Sequence, residues 1–548
     1  MSEVESSQHK QARRVKRDAL RELGIDPYGR RFADVVAIPE VQSVGEGLPL
    51  EGGDKSDHRV RIAGRILWSR VMGKLAFMTI RDARGQIQIG LSKGDLEESW
   101  PLVKKLDLGD IIGVEGIIGR TKTGELTVWC DSLTILCKSI LPPPEKWHGL
   151  TDVDMRYRRR YVDLFANPGV RDVFRQRSSI IQAIRDVLTQ HEYIEVETPV
   201  LQPIYGGAAA RPFTTHHNTL DMQLFMRISP ELYLKRLLVG GLERVFEISR
   251  NFRNEGISTR HNPEFTMIEL YEAYGDYEVM MERVEQMVAA SFAVSAQHAI
   301  PARRAEIEAE CARLEESKSA DDARAFAEEN HLEAYREACK GIEGGRMVGV
   351  FNGTVLDYTP PWPRLRYADL LREHAGVDWR DFPAVREKAR SLGIDEGRLD
   401  DAVVVNEVFE ATVESHLEQP CFVCDYPADI CPLTRRHPED NNIALRFEAF
   451  VCRMELGNAY TELNDPAVQE ENFKRSLKGE EEETMAVMDE DFVTALEYGM
   501  PPAGGLGVGI DRLVMLLTDS PSIRDVILFP LQRPQRDGGS ESPPASSE

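Results

Sequence analysis

Residues 59–140 consist of short segments in which apolar and polar residues alternate. Turn-forming Gly, Asp and Lys-Thr-Gly separate five such segments: 60–70, 74–82, 86–92, 111–120 and 125–138. Alternation with a period of two predicts strands that bury one face. Five such strands in about eighty residues predict a small closed barrel of the OB type, a fold that often binds single-stranded nucleic acid.

The bulk properties limit the class of protein. A chain of 548 residues is too long for one simple core and predicts two or three domains. Its eight scattered cysteines do not form a disulfide framework and indicate a reducing, cytoplasmic setting. The polar N-terminus predicts no secretory signal, and apolar runs such as 513–517 are far too short to cross a membrane. The net charge of −24 argues against a nucleic-acid partner on average, but local basic surface can still follow a phosphate backbone.

Composition and periodicity divide the chain into five predicted regions. They are a basic helical extension (1–58), the barrel (59–141), a Pro-rich linker (142–168), a long α+β region (169–534) and a disordered tail (535–548). Within the extension, residues 10–22 predict a helix, either solvated or in contact with phosphates, and residues 32–58 predict a loop. Within the long region, residues 301–343 predict a two-helix surface insertion, bounded at about 299–345.

Two strand pairs in the long region carry carboxylates. In 244–274, two strands flank a polar loop, and Glu269 shares a strand face with Tyr271. Buried charge is costly unless it is paired, so Glu269 is predicted to meet a cation, either a ligand or an arginine of the chain. In 446–464, Glu448, Glu455 and Glu462 predict a hard-cation site, a second cation pocket or both. An exposed polar strand face explains these three equally well.

Residues 504–517 run from a glycine-rich strand into an apolar helix, with Asp511 and Arg512 at the junction. Glycine lets a ligand approach the backbone closely, and an arginine there can clamp a phosphate. The glycine spacing fits neither a P-loop nor a strand–GxGxxG–helix nucleotide unit.

With the helix and strand that end near Pro199, these stretches resemble the three signature motifs of the class II aminoacyl-tRNA synthetases, in order. The motifs read VETPVLQP, then FEISRNFRNEGIS with RHNPEFT, then GLGVGIDR. Further blocks resemble the lysyl-tRNA synthetases specifically: 148–164, 206–213, 230–237, 253–266, 455–465 and 524–530. The resemblance covers nearly the whole chain except 301–343 and both ends. It implies an α+β fold, in which an N-terminal OB-fold β-barrel precedes a catalytic antiparallel sheet flanked by helices.

The resemblance also implies a reaction. ATP activates L-lysine to lysyl-adenylate, and the lysyl group then passes to the 3′ end of tRNA(Lys). Mg²⁺ is the implied cofactor, a homodimer the implied assembly and the cytoplasm the implied location. Neither step needs a protein nucleophile, so catalysis is expected from positioning and charge stabilisation.

Motif position implies the ATP site. Arg253 and Arg512 are the implied catalytic residues: Arg253 bridges the lysine carboxylate and the α-phosphate, and Arg512 holds the γ-phosphate. The other implied ATP contacts are Glu255, Arg260, His261, Asn262, Phe265 and Glu448, with Phe265 stacked on adenine. Glu448 and Glu455 are the implied ligands of Mg²⁺, which prefers oxygen ligands.

The implied lysine site includes Arg253 and six further residues. Gly207 and Glu231 contact the α-amino group, and Asn458 lies near the carboxylate. Glu269, Tyr271 and Glu462 receive the ε-ammonium, which needs anionic and hydrogen-bond-accepting partners. A relative that selects aspartate would need Arg or Lys there instead.

The resemblance implies an anticodon site on the barrel. Arg70, Phe77, Gln88 and Glu125 match positions that read a U-rich anticodon, with Phe77 stacking on a base. A core role is the alternative for Phe77.

Two features depart from the family pattern or suggest other chemistry. Cys452-Arg453 replaces a small-residue pair just before Glu455, and puts the local geometry there in question. Cys421, Cys424 and Cys431 suggest zinc, but a fourth ligand is missing and free cysteine packs well in an apolar strand.

Three alternative functions remain: a paralogue that lysylates proteins, a non-catalytic relative, and an aspartyl or asparaginyl enzyme. The barrel argues against the paralogue that lysylates proteins. The complete set of motif arginines and glutamates argues against the non-catalytic relative, and the acidic pocket argues against the aspartyl or asparaginyl enzyme.

Overall fold

A computed structural model describes residues 3–144, 150–208, 210–395, 397, 399–476 and 488–534. The tail 535–548, predicted to be disordered, and residues 145–149 of the predicted linker lie outside these described residues. The chain divides into two compact units, Met1–Asn167 and Pro168–Glu548.

The first unit is built around five strands. Its elements are α1 (Glu3–Glu22), α2 (Ile38–Gly47), β1 (Lys55–Met72), β2 (Leu75–Arg81), β3 (Gln86–Ser92), α3 (Lys93–Leu96), α4 (Trp100–Val103), β4 (Ile111–Arg120), β5 (Leu126–Cys137), α5 (Val153–Arg158) and α6 (Arg160–Ala166). The strands close in the order β1-β2-β3-β5-β4, so the predicted five-stranded barrel is confirmed. One side of each strand fills the interior, as Ile62, Met78 and Ile89 show.

The segment predicted as a loop before the barrel contains helix α2. Ile38 and Val41, one helical turn apart, are buried in the barrel core. The backbone N–H of Ile38 also donates to Asp82 Oδ2 at 2.8 Å. The loop prediction for 32–58 is therefore wrong in its middle part, because burial of two apolar side chains against the barrel stabilises a short helix that the polar composition obscured.

The second unit contains a large mixed sheet. Its first half comprises α7 (Pro168–Gln190), β6 (Ile194–Glu195), β7 (Leu201–Gln202), β8 (Thr214–His217), β9 (Met222–Met226), α8 (Glu231–Val239), β10 (Arg244–Phe252), β11 (Glu264–Ala273), α9 (Tyr277–Val294), α10 (Ala296–Ser317), α11 (Ala320–Glu329) and α12 (Leu332–Glu343). Its second half comprises β12 (Val348–Phe351), β13 (Thr354–Asp357), β14 (Arg364–Arg366), α13 (Tyr367–Ala375), α14 (Phe382–Ser391), α15 (Asp401–Thr412), β15 (Cys421–Pro427), β16 (Ile443–Val451), β17 (Met454–Thr461), α16 (Pro466–Ser476), α17 (Glu490–Glu497), β18 (Ala503–Gly509), α18 (Ile510–Leu517) and α19 (Ile523–Val526).

Eight strands form the sheet in the order β14-β15-β16-β17-β18-β11-β10-β6. Neighbours pair antiparallel except at the two edges, where β14 and β6 run parallel to their partners. Ile268, Leu270, Leu506 and Val508 from one face join the core formed with helices α7, α9 and α18. The prediction of an antiparallel sheet flanked by helices is confirmed. The face of the sheet opposite this core carries polar side chains, among them Glu269 and Asn458.

The segment 301–343 holds parts of three helices, not the two that were predicted. Ser319 is the N-cap of α11, where its Oγ accepts a hydrogen bond from the backbone N of Asp322. His331, with a left-handed φ of 54°, separates α11 from α12. Ile307, Leu332 and Tyr335 belong to the same core as the sheet. The helices therefore pack into the unit rather than lying only on its surface. Among the described residues, no helix is long and apolar enough to cross a membrane.

Asp511 links three elements of the second unit. Its buried carboxylate accepts from Arg177 Nη1 of α7 at 2.6 Å and from the backbone N of Thr266 in β11 at 2.7 Å, while Asp511 itself lies in the first turn of α18. A buried carboxylate with two donors of this kind holds its partners in one geometry, because each donor would otherwise be left unsatisfied.

Replacing Asp511 by Ala is expected to lower the free energy of unfolding by about 3 kcal/mol, since Arg177 then loses its buried partner. Thermal unfolding followed by calorimetry measures the change. The matched control is Asp369→Ala, which breaks an exposed pair with Arg372 and is expected to cost less than about 1 kcal/mol. Equal shifts for the two variants would contradict the role assigned to Asp511.

Candidate active site

The polar face of the large sheet carries an open cleft with an empty volume of about 760 Å³. The cleft is lined by the loop after β10, by β11, β17 and β18, and by the starts of α18 and α19. The predicted residues that it brings together are Arg253, Glu255, Arg260, His261, Asn262, Phe265, Glu455, Asn458 and Arg512.

Arg253 lies in the cleft without an ion pair to any of the described residues. Its guanidinium lies 5.2 Å from the centroid of the Phe265 ring, and within the described part of the chain its buried Nε has no hydrogen-bond partner. A planar guanidinium without a carboxylate partner is suited to a phosphate or carboxylate from a ligand.

Arg512 and His261 form a second polar group in the cleft. Arg512 Nη2 lies 3.2 Å from His261 Nε2, and Arg512 Nη1 contacts Glu455 Oε2 at 3.4 Å. Burial lowers the pKa of His261, and the positive charge of Arg512 lowers it further. His261 is therefore neutral near pH 7, where its Nε2 can accept from Arg512 while its Nδ1 faces Ser258 Oγ at 3.0 Å.

The two residues Cys452-Arg453 form the tight turn between β16 and β17. Both have left-handed backbones, with φ of 50° and 62°, a region that glycine adopts at lower cost than other residues. Arg260 Nη1 donates to the Arg453 carbonyl at 3.1 Å, so the turn also supports the loop after β10. The departure from the family pattern thus leaves the hairpin intact.

Glu448 and Glu455, the implied Mg²⁺ ligands, lie on neighbouring strands β16 and β17. Glu448 pairs with Arg446 and accepts from Tyr426 at 2.8 Å, and Glu455 accepts from Asn458 Nδ2 at 3.0 Å. Burial raises the pKa of Glu448, which Arg446 opposes and Glu455 reinforces. Burial acts to raise the pKa of Glu455, but Arg512, Arg446, the hydrogen bond from Asn458 and Arg253 together lower it below its usual value.

A second, buried group of carboxylates lies on the same face of the sheet. Glu269 on β11 accepts from Ser229 Oγ at 2.8 Å and from Tyr271 at 3.4 Å, and no ion pair to it occurs among the described residues. The predicted alternative of a salt bridge to an arginine of the chain is therefore wrong. Burial, reinforced by the charge of Glu231, raises the pKa of Glu269 to about 8.

Lys235 pairs with the other two carboxylates of this group. Its fully buried Nζ lies 2.6 Å from Glu231 Oε1 and 2.5 Å from Glu462 Oε2. Burial by itself would lower the pKa of Lys235, but the two carboxylates raise it above its usual value. Burial raises the pKa of Glu462, and Lys235 opposes that rise.

Two glycines shape this acidic pocket. A Cβ at Gly505 would lie 1.9 Å from Glu462 Oε1 and 2.5 Å from Tyr271 Cε1, so only glycine fits there. Gly207, an implied ligand contact, has a φ of +85°, and a Cβ on it would lie 3.0 Å from Ser229 Oγ. The structure thus brings Gly207, Glu231, Glu269, Tyr271 and Glu462 into one neighbourhood.

The sequence reasoning missed Ser229, Lys235 and Gly505. The Glu231–Lys235 spacing of four residues on a helix was a readable signal for a pair. The burial of this pair and the second carboxylate, Glu462 just after β17, could not be predicted, because they depend on how helix α8 packs against the sheet.

The predicted anticodon residues lie on the outer face of the barrel, in the first unit. Arg70 is exposed and pairs in register with Phe77, which is half-buried. Gln88 donates to Thr127 Oγ1 at 2.9 Å, and Glu125 is exposed just before β5. Phe77 is not part of the barrel core, so the alternative role considered for it is wrong.

The three cysteines that suggested zinc are buried in or beside β15. Burial raises the pKa of Cys421 and of Cys424 to about 12, and Cys431 Sγ lies 3.3 Å from Arg446 Nη1. At neutral pH Cys421 and Cys424 are thiols, the form that packs as a small apolar side chain.

Comparison with known proteins places this arrangement in a family. A family model described as class II tRNA synthetases (D, K and N) matches residues 152–533, and a model of the OB-fold nucleic acid binding domain matches residues 60–136. The lysine–tRNA ligase of Moorella thermoacetica is 47% identical over 527 residues, covering 94% of this chain and 96% of that protein.

Two further relatives match over similar lengths. The lysine–tRNA ligase of Carboxydothermus hydrogenoformans is 46% identical, covering 98% of this chain and 100% of its own. That of Pelotomaculum thermopropionicum is 48% identical, covering 95% and 94%. With the cleft, the antiparallel sheet and the barrel all in place, this chain belongs to the class II tRNA synthetases of the aspartate, lysine and asparagine group.

Proposed function

We propose that the protein is a lysine–tRNA ligase, which activates L-lysine with ATP and transfers the lysyl group to the 3′ end of tRNA(Lys). The observation that carries the choice of amino acid is the buried acidic pocket of Glu231, Glu269 and Glu462 beside the cleft. Glu231 and Glu462 share one internal ammonium, that of Lys235, and Glu269 has no ion pair among the described residues. Glu269 therefore still lacks a cation, and the ε-ammonium of lysine supplies one.

An acidic amino acid does not suit this pocket. Lys235 is the cation that an aspartate carboxylate would need, but Glu231 and Glu462 already hold it on both sides. Releasing it would leave two buried carboxylates without a partner, which is costly. The full-length similarity to lysine–tRNA ligases supports the same choice.

Activation joins the lysine carboxylate to the α-phosphate of ATP and releases pyrophosphate. Arg253, free within the described residues, would contact both oxyanions and so align them for attack. Phe265, which packs against Arg253, would stack on adenine. Arg512 and Arg260 would hold the polyphosphate end, while neutral His261 accepts from Arg512 and adds no positive charge of its own.

Around these arginines, Glu255 and Asn262 line the same cleft and would contact ATP, while Gly207, Glu231 and Asn458 would orient the α-amino and carboxylate groups of lysine. Tyr271 would share the ε-ammonium with Glu269 and Glu462. No protein nucleophile is needed, because positioning and charge stabilisation carry both steps.

Glu448 and Glu455 fit a bound Mg²⁺. They supply carboxylate oxygens, the ligand type that this ion prefers, from neighbouring strands, and the charge of Glu455 contributes to the raised pKa of Glu448. Two protein carboxylates would be sufficient to hold it, because proteins usually bind Mg²⁺ through one or two carboxylates together with substrate phosphates and water. When bound, it would neutralise charge on the ATP phosphates.

The anticodon of tRNA(Lys) is proposed to bind to Arg70, Phe77, Gln88 and Glu125 on the barrel.

The protein is further proposed to act as a homodimer in the cytoplasm. Exposed apolar side chains around the first motif support a dimer: Ile194, Val200 and Leu201 are 50%, 39% and 49% exposed. Such a patch on one chain is suited to burial against a second copy.

The test of the proposed function is amino-acid-dependent exchange between ATP and pyrophosphate, with Mg²⁺ and each of the twenty amino acids in turn. Lysine alone is expected to support exchange, and tRNA(Lys) is then expected to accept the lysyl group. Exchange with aspartate or asparagine would overturn the assignment of lysine while keeping the family.

Glu462→Gln is expected to raise the KM for lysine at least about tenfold, because it removes one buried charge near the ε-ammonium. The KM for ATP should change little, since Glu462 lies outside the cleft. The matched control is Glu264→Gln, an exposed carboxylate on β11. Steady-state exchange kinetics measure both constants, and an unchanged KM for lysine would remove Glu462 from the site.

The KM for lysine is also expected to fall about fivefold between pH 7 and pH 8. Glu269 has a pKa raised to about 8, so it is mostly protonated at pH 7 and cannot pair with an ammonium. Binding selects its ionised form, so affinity rises as pH rises through that pKa. Glu269→Gln should bind lysine weakly and lose this dependence, whereas a pH dependence retained in that variant would assign it to another group.

A further inference from the structure

The outer face of the barrel carries a second aromatic ring beside Phe77. Cross-strand registers place Arg70 opposite Phe77, Phe77 opposite Gly90, and Gly90 opposite Trp129. One continuous row therefore crosses β1, β2, β3 and β5. Trp129 stands in that row two residues from Thr127, the partner of Gln88.

The Trp129 ring lies flat across the barrel wall. A Cβ at Gly90 would lie 2.7 Å from its Cε3, and a Cβ at Gly119 would lie 2.9 Å from its Cδ1. Both neighbouring strands thus need glycine beneath or beside the indole. The arrangement fixes the ring without enclosing it, since the side chain stays partly exposed.

Phe77 and Trp129 present differently oriented faces. Their ring centroids are 5.9 Å apart and their planes are inclined by 71°. One flat base cannot stack on both planes. Two successive bases, splayed apart as they are when single-stranded RNA binds to a protein surface, can each take one.

A basic side chain already lies over the indole. Lys55 Nζ is 4.6 Å from the centroid of the Trp129 ring, and the lysine side chain is 43% exposed. Its contact with Asp95 is long, at 4.0 Å. Asp131, which follows Trp129 on the same face of β5, is paired with Arg59 at 2.7 Å. Lys55 can therefore move from the Trp129 ring to bind a phosphate when a base stacks on the indole. The nearby carboxylate of Asp131 is already paired with Arg59.

We propose that Trp129 is a second stacking platform for single-stranded RNA: it takes the base next to the one on Phe77, and Lys55 takes the phosphate that accompanies it. The proposal rests on the proposed function, because it identifies the RNA as the anticodon loop of tRNA(Lys). The geometry that carries it is the row of residues across the barrel, the inclined rings and the cation over the indole.

The test measures binding of tRNA(Lys) to the full chain, together with ATP–pyrophosphate exchange. Trp129→Ala is expected to raise the Kd for tRNA by about 5- to 150-fold, the range for loss of one base stack. Trp129→Phe should lose much less, because it keeps an aromatic face. Exchange with lysine should stay unchanged in both. Phe77→Ala is the positive control, and Phe382→Ala, an exposed aromatic of α14 in the other unit, is the negative control.

Lys55→Met gives an independent measurement. The slope of log Kd against log salt concentration is expected to fall by about 0.7, the contribution of one phosphate contact to single-stranded RNA. Because Lys55 is exposed, this variant keeps the barrel fold even if Trp129→Ala does not.

The outcomes separate the two proposals. If Trp129→Ala binds tRNA normally while Phe77→Ala does not, the platform is refuted and the ligase function stands. Equal losses in Trp129→Ala and Trp129→Phe also refute stacking on that ring. An unchanged salt slope in Lys55→Met refutes the phosphate contact. Absence of lysine-dependent exchange in the unaltered protein would instead refute the proposed function.

Discussion

The buried carboxylate of Asp511 determines whether the catalytic sheet can present a site at all. It receives one bond from α7 and one from the backbone of β11, and it stands at the first turn of α18. All three signature stretches thereby meet at one residue. Arg512, the next residue, is held over the cleft as a consequence, within reach of His261 and Glu455.

The acidic pocket shows how a protein can keep carboxylates ready for a cation without leaving all of them unpaired. Lys235 compensates Glu231 and Glu462, which would otherwise repel one another in a buried setting. Glu269 is left with neutral donors and a raised pKa. The pocket therefore holds three carboxylates and only one internal ammonium among the described residues, and that imbalance is the physical basis for selecting a cationic side chain.

Much of the fold was predictable because its signals are local. Alternation in five short segments predicted the barrel strands, and the motif stretches predicted β10, β11, β17 and β18. The wrong predictions concern segments whose secondary structure depends on contacts with residues distant in the chain. Helix α2 forms in a polar stretch because Ile38 and Val41 pack into the barrel core. Helices α11 and α12 are separated by His331, whose left-handed backbone conformation cannot be predicted from the hydrophobic periodicity.

By itself, the sequence determined the residue types of the site, their order and the family to which they belong. Only the tertiary structure decided which charges meet. It assigned Lys235 to Glu231 and Glu462, left Glu269 and Arg253 without ionic partners among the described residues, and set Trp129 beside Phe77. The reason is physical: spacing along a strand or helix determines which face a side chain shares, whereas pairing, burial and pKa depend on elements that are remote in the chain and adjacent in space.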